Sequence, residues 1–278
     1  MNYIEALNWG KKELNINNVP SFELDPLILL EDCSGVSRSK LLAETDTKLD
    51  TAIVRKYKHQ IRQRSKHIPI AYIRHRTEFY GYTFYIDQRV LEPRPESETI
   101  IEELLTIIPD LPDKTTLIDI GTGSGALAIT AKLLHPELTV YATDISHDAI
   151  KVAKINSQSL KAAVNLIVCD LVSLIPHQIW NKPTFIVANL PYIPDFWQIN
   201  EAAQNEPKIA IYGGNDGLRL YERLFNQLKS MHKPPEFIIC ESLPPQHKQL
   251  TLIASSMNYR LLRTNKFIQV FSLEQHLK

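Results

Sequence analysis

The sequence predicts a doubly wound α/β domain with a mostly parallel sheet, preceded by a small helical domain and a β-hairpin. Three observations carry that prediction. From about residue 115 short apolar runs alternate with amphipathic stretches, the pattern of parallel strands covered on both faces. Before about residue 75 only helical periodicity and turn signals occur. At the end, "YRLLRTNKFIQVFSLEQ" reads as two strands separated only by Thr264, Asn265 and Lys266, which adds an antiparallel hairpin.

The helical segment begins with "MNYIEALNWGKKELN", amphipathic and without the apolar core of a signal peptide. Ser21 is expected to cap "FELDPLILLEDC", with Leu24, Leu27, Leu29 and Leu30 as its apolar face and Gly35 as its end. "TEFYGYTFYID" then changes period: aromatic and β-branched residues around Gly81 predict a hairpin. In "LEPRPESETIIEELL", Pro93 and Pro95 hold the chain extended and a helix starts near Glu96. "TTLIDI", "LTVYATDI", "NLIVCD", "PTFIVANL" and "PEFIICES" are strands; with the last hairpin they make seven. "ALAITAKLLH", "HDAIKVAKINSQSL" and "GLRLYERLFNQLKSM" are the helices between them. The expected boundaries are 1–75 for the helical domain, 76–92 for the hairpin linker and 93–278 for the α/β domain.

Composition narrows the function. The 278 residues are 44% hydrophobic and carry 31 basic and 31 acidic side chains, so a basic nucleic-acid-binding surface is not indicated. No apolar run approaches the ~18 residues of a membrane helix. Cys33, Cys169 and Cys240 lie far apart, which suits thiols in a reducing compartment rather than a disulfide framework or a metal site, and predicts a cytoplasmic location. Charge is uneven within this balance. Thr51 to Arg76 holds eight Lys or Arg and no acid, read either as a solvated helix face over Ile53, Tyr57 and Ile61 or as a docking surface for an acidic partner or RNA.

Chemistry concentrates at the carboxyl ends of the predicted strands. "LIDIGTGSGALAI" places Gly121, Gly123 and Gly125 between a strand and a helix, where a backbone can approach a ligand closely. Asp144 closes the next strand, where a carboxylate can accept hydrogen bonds from both hydroxyls of a ribose. Asp119 and Asp170 add carboxylates, an unfavourable field for a pyrophosphate but a suitable one for a ligand with an ammonium and a sulfonium. The G-x-G-x-G spacing also departs from the usual dinucleotide loop. Together these features resemble the class I methyltransferases, a Rossmann-like fold, and imply S-adenosyl-L-methionine as methyl donor.

"NLPY", Asn189 to Tyr192, ends the fourth of these strands. Asn-x-Pro-aromatic at this place resembles the motif of enzymes that methylate nitrogens in planar, weakly basic groups. The Asn189 side-chain oxygen can accept one N–H of the target. The Leu190 carbonyl can accept the other, since Pro191 restricts Leu190 to an extended conformation. Tyr192 can stack on the planar group. Such a clamp works by positioning. It does not choose between adenine and a glutamine amide, and N-L-P-Y is similar to the motif of the ribosomal-RNA adenine dimethyltransferases.

The rest of the chain resembles the release-factor glutamine methyltransferases of the HemK/PrmC type. The likeness is most specific in "HIPIAYIRHRTEFYGYTFYIDQRVLEPRPESETIIEELL", in residues 117–145, and in residues 185–221 with "NEPKIAIYGGNDGLRLYERL". It implies N5-methylation of the glutamine in the Gly-Gly-Gln loop of peptide-chain release factors. It implies a donor site of Asp119, Gly121, Thr122, Gly123, Ser124, Gly125, Asp144, Asp170, Leu171 and Asn189, with Asn189, Leu190, Pro191 and Tyr192 as the catalytic clamp. No metal, membrane or stable nucleic-acid partner is expected. The chain departs from the family at Leu190, usually Pro, and in "CESLPPQ", where the family's acid, small residue and Gly become Glu241, Ser242 and Leu243. Arg94 and Glu206 receive no catalytic role. Two other readings stand beside this one: an adenine-N6 methyltransferase acting on RNA or DNA, and a non-catalytic adaptor that binds release factor or ribosome.

Overall fold

The structure, a computed structural model, describes residues 1–108, 115–229, 231 and 233–274; Ser230 and Gln275, at the ends of two sequence-predicted elements, lie outside them. The described chain divides into two compact units, Met1–Arg76 with Ile199–Asn205, and Thr77–Gln198 with Glu206–Lys278. The hairpin at Gly81 therefore belongs to the second unit, and a short excursion after the NLPY stretch belongs to the first.

The first unit contains α1 (Tyr3–Ile16), α2 (Asp25–Ser34), α3 (Arg38–Ala43), α4 (Thr51–Arg64) and α5 (Ile70–Arg74). Asn2 and Glu5 form a reciprocal capping box that starts α1. Gly35 ends α2 in the left-handed conformation, as its position in the sequence predicts. Ser21 does not cap that helix: its hydroxyl donates to the Asp25 carboxylate, and α2 begins at Asp25 with Pro26 in its first turn. Leu29, Leu30, Tyr57 and Ile61 meet in one core with Leu7, Leu14 and Leu41, whereas Leu24 is exposed.

The basic run divides between interior and surface. Arg64 is buried and donates to Asp25 at 2.6 Å, a pair whose rupture would leave a charge without compensation. Arg74 and Arg76 both bind Asp32, and the Lys58 ammonium lies 5.3 Å over the Trp9 ring. What remains exposed of the run is chiefly Arg55, Lys56, Arg62 and Lys66. The single basic face read from the sequence is thus reduced by half, because Arg64, Arg74 and Arg76 reach acids of α2 and Lys58 lies over an aromatic ring of α1.

The second unit opens with β1 (Thr77–Phe79) and β2 (Tyr82–Phe84), paired antiparallel about Gly81. A 3-10 turn at Pro95–Ser97 leads into α6 (Glu98–Ile107). The alternation then follows as β3 (Thr116–Ile120), α7 (Ala126–Leu134), β4 (Thr139–Asp144), α8 (His147–Ser159), β5 (Asn165–Val168), β6 (Thr184–Ala188), α9 (Arg219–Lys229), β7 (Phe237–Glu241), α10 (His247–Ser255), β8 (Tyr259–Asn265) and β9 (Ile268–Leu273). Among the described residues the large sheet has seven strands in the order β5-β4-β3-β6-β7-β9-β8. Only β9 runs opposite to the other strands: it pairs antiparallel with both β7 and the edge strand β8, between which it is inserted, so β8 again points the same way as β7.

Successive residues of the central strands point into different layers. Ile118, Ile186 and Ile238 pack with Leu224, Phe225 and Leu228 of α9 on one face. Leu117, Phe185, Val187 and Ile239 pack with Ile100, Leu104 and Ile129 on the other. This double burial is why β3 and β6 read as unbroken apolar runs rather than alternating ones. Helix α10 has no counterpart in the sequence reading. Pro244 and Pro245 look like breakers, yet they occupy the 3-10 turn that starts it, where a missing N–H costs nothing. The final hairpin turns more tightly than expected, with Asn265 inside β8.

The chain runs outward through β3, β4 and β5, then returns to place β6 on the other side of β3. That reversal opens a crevice beyond the carboxyl ends of the strands, the general binding position of open α/β sheets.

Candidate active site

A cavity of about 460 Å³ occupies this crevice. Its walls include Gly121 and Gly123 after β3, Asp144 to Ser146 after β4, Asp170 and Leu171 after β5, and Asn189 to Pro191 after β6. Thus four successive strand ends meet in one space although their residues span 121 to 191 in sequence.

The glycine loop is held by its neighbour strand. Gly121 and Thr122 each donate a backbone N–H to the Thr143 carbonyl at 2.9 Å, and Gly125 donates to Thr122 at 2.8 Å. All three loop glycines have positive φ, +72° at Gly121, +55° at Gly123 and +83° at Gly125, which glycine adopts at little cost. A Cβ at Gly125 would press on Ile129 and Ala153, whereas one at Gly123 would meet nothing. Gly125 therefore lets α7 and α8 approach, and Gly123 faces the open cavity.

Asp144 ties loop and cavity together. One carboxylate oxygen accepts from the Gly123 N–H at 2.9 Å and the other from Ser146 at 2.8 Å. A carboxylate offers about four acceptor positions, so both oxygens keep capacity for a diol. Burial raises the Asp144 pKa against the opposing effect of its backbone hydrogen bonds. Asp119 is more deeply buried and lies behind the loop rather than on the cavity wall. It accepts from the Thr122 hydroxyl at 2.6 Å and the Ala128 N–H at 3.2 Å, and burial pushes its carboxyl up to about 7. Thr122, Ser124 and Gly125 also lie off the wall, so these four support the loop from behind.

Asp170 lies on the wall, engaged by Arg223 and, at 3.4 Å, by Gln227 of α9. Leu171 adopts φ +53° and its carbonyl accepts from the Thr143 hydroxyl at 2.8 Å. That bond fixes the strand-end turn presenting the Leu171 side chain.

The clamp stretch is braced from behind. Asn189 Nδ2 donates to Ser97 Oγ at 2.7 Å, which leaves Oδ1 as the amide atom not engaged by Ser97. The Tyr192 hydroxyl donates to Glu241 Oε1 at 2.9 Å, and both burial and Glu241 raise its pKa. The Leu190 N–H donates to the Tyr221 hydroxyl at 3.3 Å; that hydroxyl in turn reaches the carbonyls of Ala188 and Glu241. Leu190 is buried and touches the Gly121 position, so the residue that replaces the expected Pro is packed against the glycine loop. Arg94 donates to Glu206, which is buried and whose pKa rises to about 7 chiefly through burial.

Known proteins match both the helical segment and the stretch of chain that carries this site. Residues 5–74 match the PrmC N-terminal domain, and residues 100–192 match the ribosomal protein L11 methyltransferase (PrmA) family. A release factor glutamine methyltransferase of Bacillus cereus is 35% identical over 236 residues, 83% of this chain and 82% of that protein. That of Clostridium acetobutylicum is 31% identical over 267 residues, 94% of this chain and 93% of that protein. The chain belongs to the release factor glutamine methyltransferase family. Among solved structures, the catalytic domain of hMettl16 in complex with MAT2A 3'UTR hairpin 6 superposes with a TM-score of 0.54 at 13% identity, covering 80% of this chain and 81% of that one, a likeness of fold.

Within this release factor glutamine methyltransferase family member, the segment "YGGNDGL" has a role that sequence reasoning did not reach. It lies against the clamp backbone, with Gly213 N–H donating to the Ile193 carbonyl at 2.9 Å and Gln246 Nε2 donating to the Tyr192 carbonyl at 2.7 Å. A Cβ on Gly213 would collide with the Pro191 carbonyl oxygen, and one on Gly217 with that of Tyr192. Both contacts are with backbone, which cannot swing aside. Gly213→Ala should therefore destabilise the fold by ~1–3 kcal/mol through overpacking. It should also lower kcat about tenfold by displacing the clamp. Thermal unfolding and steady-state methylation measure the two effects. Ser97, Tyr221 and Gln246 are likewise absent from the motif reading, and Glu241 appears in it only as the acid of "CESLPPQ", without a role. Of these, Glu241 alone carried a signal toward a role at the site, as an acid closing a strand at the binding edge of a parallel sheet.

Proposed function

We propose that this protein transfers a methyl group from S-adenosylmethionine to the side-chain amide nitrogen of the glutamine in the Gly-Gly-Gln loop of peptide-chain release factors. The observation that carries the reading is the Asn189 amide, fixed through Nδ2 at the switch point of the sheet and lining the same cavity as Asp144. Relatives at 31–35% identity over most of the chain, named release factor glutamine methyltransferases, supply the substrate class.

The residues fit the donor. Asp144 keeps acceptor capacity for ribose hydroxyls, Gly121 and Gly123 admit close backbone approach, and Asp170 with Leu171 borders the space beyond Asp144. The donor supplies an electrophilic methyl group. An amide nitrogen attacks it poorly because its lone pair is delocalised, so the chain's contribution is orientation and partial localisation of that pair. Asn189 Oδ1 accepts one N–H and the Leu190 carbonyl the other, while Tyr192 borders the planar group. This is positioning of a near-attack geometry and requires no strong base. Exposed Arg55, Lys56, Arg62 and Lys66 would add charge to release-factor recognition by the helical domain, proposed to span residues 1–75. The hairpin over 76–92 and the catalytic domain over 93–278 complete this division. Three unpaired thiols support a cytoplasmic setting.

The test is incubation of the purified chain with labelled S-adenosylmethionine and either release factor or RNA, followed by mass spectrometry. Label on the nitrogen of the Gly-Gly-Gln glutamine is expected. Label on adenine instead would assign the clamp to nucleic acid, and binding of release factor without label on either would make the chain an adaptor.

A further inference from the structure

The two clamp side chains meet behind the cavity at one acid. Glu241 ends β7, is 1% exposed, and accepts the Tyr192 hydroxyl on Oε1 at 2.9 Å. Ser97, which receives the Asn189 Nδ2–H at 2.7 Å, and Asn189 itself stand close enough to the carboxyl to lower its affinity for a proton. Among the described residues Oε2 makes no hydrogen bond of ordinary geometry. The Tyr221 hydroxyl reaches the Glu241 carbonyl and fixes the backbone from which the carboxyl extends.

This arrangement has a direction. An ionised carboxylate only accepts hydrogen bonds, and a serine hydroxyl has one proton to give. With the Ser97 proton drawn toward Glu241, Ser97 can only accept from Asn189, which requires Nδ2 inward and Oδ1 outward. A neutral Glu241 could donate to Ser97, whose own proton would then turn toward Asn189 and favour the flipped amide. The flipped amide offers an NH₂ to a substrate NH₂, donor against donor. We infer that Glu241 is a positioning residue for methyl transfer: its carboxylate sets the direction of the Asn189–Ser97 hydrogen bond and so keeps Asn189 Oδ1 available to accept the substrate amide N–H. The inference rests on the glutamine reading above and adds a group outside the NLPY motif.

It also makes the clamp sensitive to acid. Burial, with the nearby Glu96 carboxylate, raises the Glu241 pKa, and the hydrogen bond from Tyr192 together with the neighbouring polar groups of Ser97 and Asn189 opposes that rise. The other titratable or charged groups around it are Arg94, which acts on Tyr192, and Tyr221, Cys240 and His247. Because the folded pKa is raised, the carboxylate is lost as pH falls at a higher pH than for an exposed glutamate. The directed network should therefore fail on the acid side.

The experiment uses the full chain and two readouts. In the first, ¹⁵N NMR follows the Asn189 side-chain NH₂ without any substrate. In wild type one of its protons should be slowly exchanging and shifted, lost as acid protonates Glu241, and absent in Glu241→Gln and Ser97→Ala. In the second, methylation of a Gly-Gly-Gln peptide should show kcat about tenfold lower in both variants, with donor affinity unchanged within about twofold. Their acid limb should also be lost. Glu241→Gln conserves size but places an N–H donor at one carboxylate oxygen, so the direction is no longer imposed; Ser97→Ala interrupts the link while leaving the carboxylate. Wild-type amide protection and pH profile in both variants would overturn the inference. Parallel losses of kcat, donor affinity and thermal midpoint would overturn it too, since they mark a merely structural role. If wild type methylates no glutamine at all, the proposed function fails, and the NMR readout still decides the network.

Discussion

Asn189→Ala is expected to lower the single-turnover rate of methyl transfer by roughly 10²–10³-fold, the scale observed when one preorganised polar contact is removed from a reacting centre. The effect should fall on the chemical step. Asn189 borders the donor cavity, but its amide is held from behind by Ser97 rather than by the glycine loop, which Thr143 and Asp144 support independently. Donor affinity should change by no more than about threefold, the mark of an interaction used mainly in the transition state. Asn189→Asp is an informative companion. It keeps an acceptor but replaces Nδ2–H by an oxygen, so the introduced carboxylate and that of Glu241 would compete for one serine hydroxyl. Rapid-quench methylation with calorimetry on the same samples separates the two quantities. A near-wild-type single-turnover rate in folded Asn189→Ala would remove the clamp from this position.

Asp144→Ala should weaken S-adenosylmethionine binding on the order of 10- to 100-fold, from the ~1.5–3 kcal/mol carried by hydrogen bonds to a charged acceptor. Part of the loss is indirect, because Asp144 also holds the Gly123 and Ser146 N–H groups. Asp144→Asn isolates the direct part: it can still accept one backbone N–H but has lost the charge and half the acceptor capacity, so its affinity should fall between the two. The pH dependence has a definite sign. Burial raises the folded pKa of Asp144, so its charge, and with it donor affinity, should be lost on acidification at a higher pH than for an exposed aspartate. Isothermal titration over an acid series measures this. Unchanged affinity in folded Asp144→Ala would sink the ribose assignment.

Much of this protein is written locally. The doubly buried strands Thr116–Ile120 and Thr184–Ala188 announce themselves as apolar runs because both of their faces are covered. Gly35, the hairpin glycine Gly81 and the loop glycines are legible because positive φ selects their residue type at the position itself. Asn189-Leu190-Pro191-Tyr192 is legible for a similar reason: its four residues are contiguous and supply a complete set of acceptors. What is not legible is everything that depends on partners distant along the chain. Arg64 and Arg62 look alike in the basic run, but only Arg64 meets Asp25, 39 residues away, and becomes interior. Pro244 and Pro245 read as a break until the chain around them shows that they begin a helix. Ser97 has no sequence mark, since its role comes from an amide 92 residues further on. The glycines at 213 and 217 are demanded by carbonyls of a separate strand end. The sequence by itself therefore determined the layers and marked the glycine loop and the NLPY stretch, since periodicity and backbone sterics act over a few residues. Tertiary structure alone decided which way the Asn189 amide faces, because a hydrogen bond's direction is set by the partners that converge on it in space.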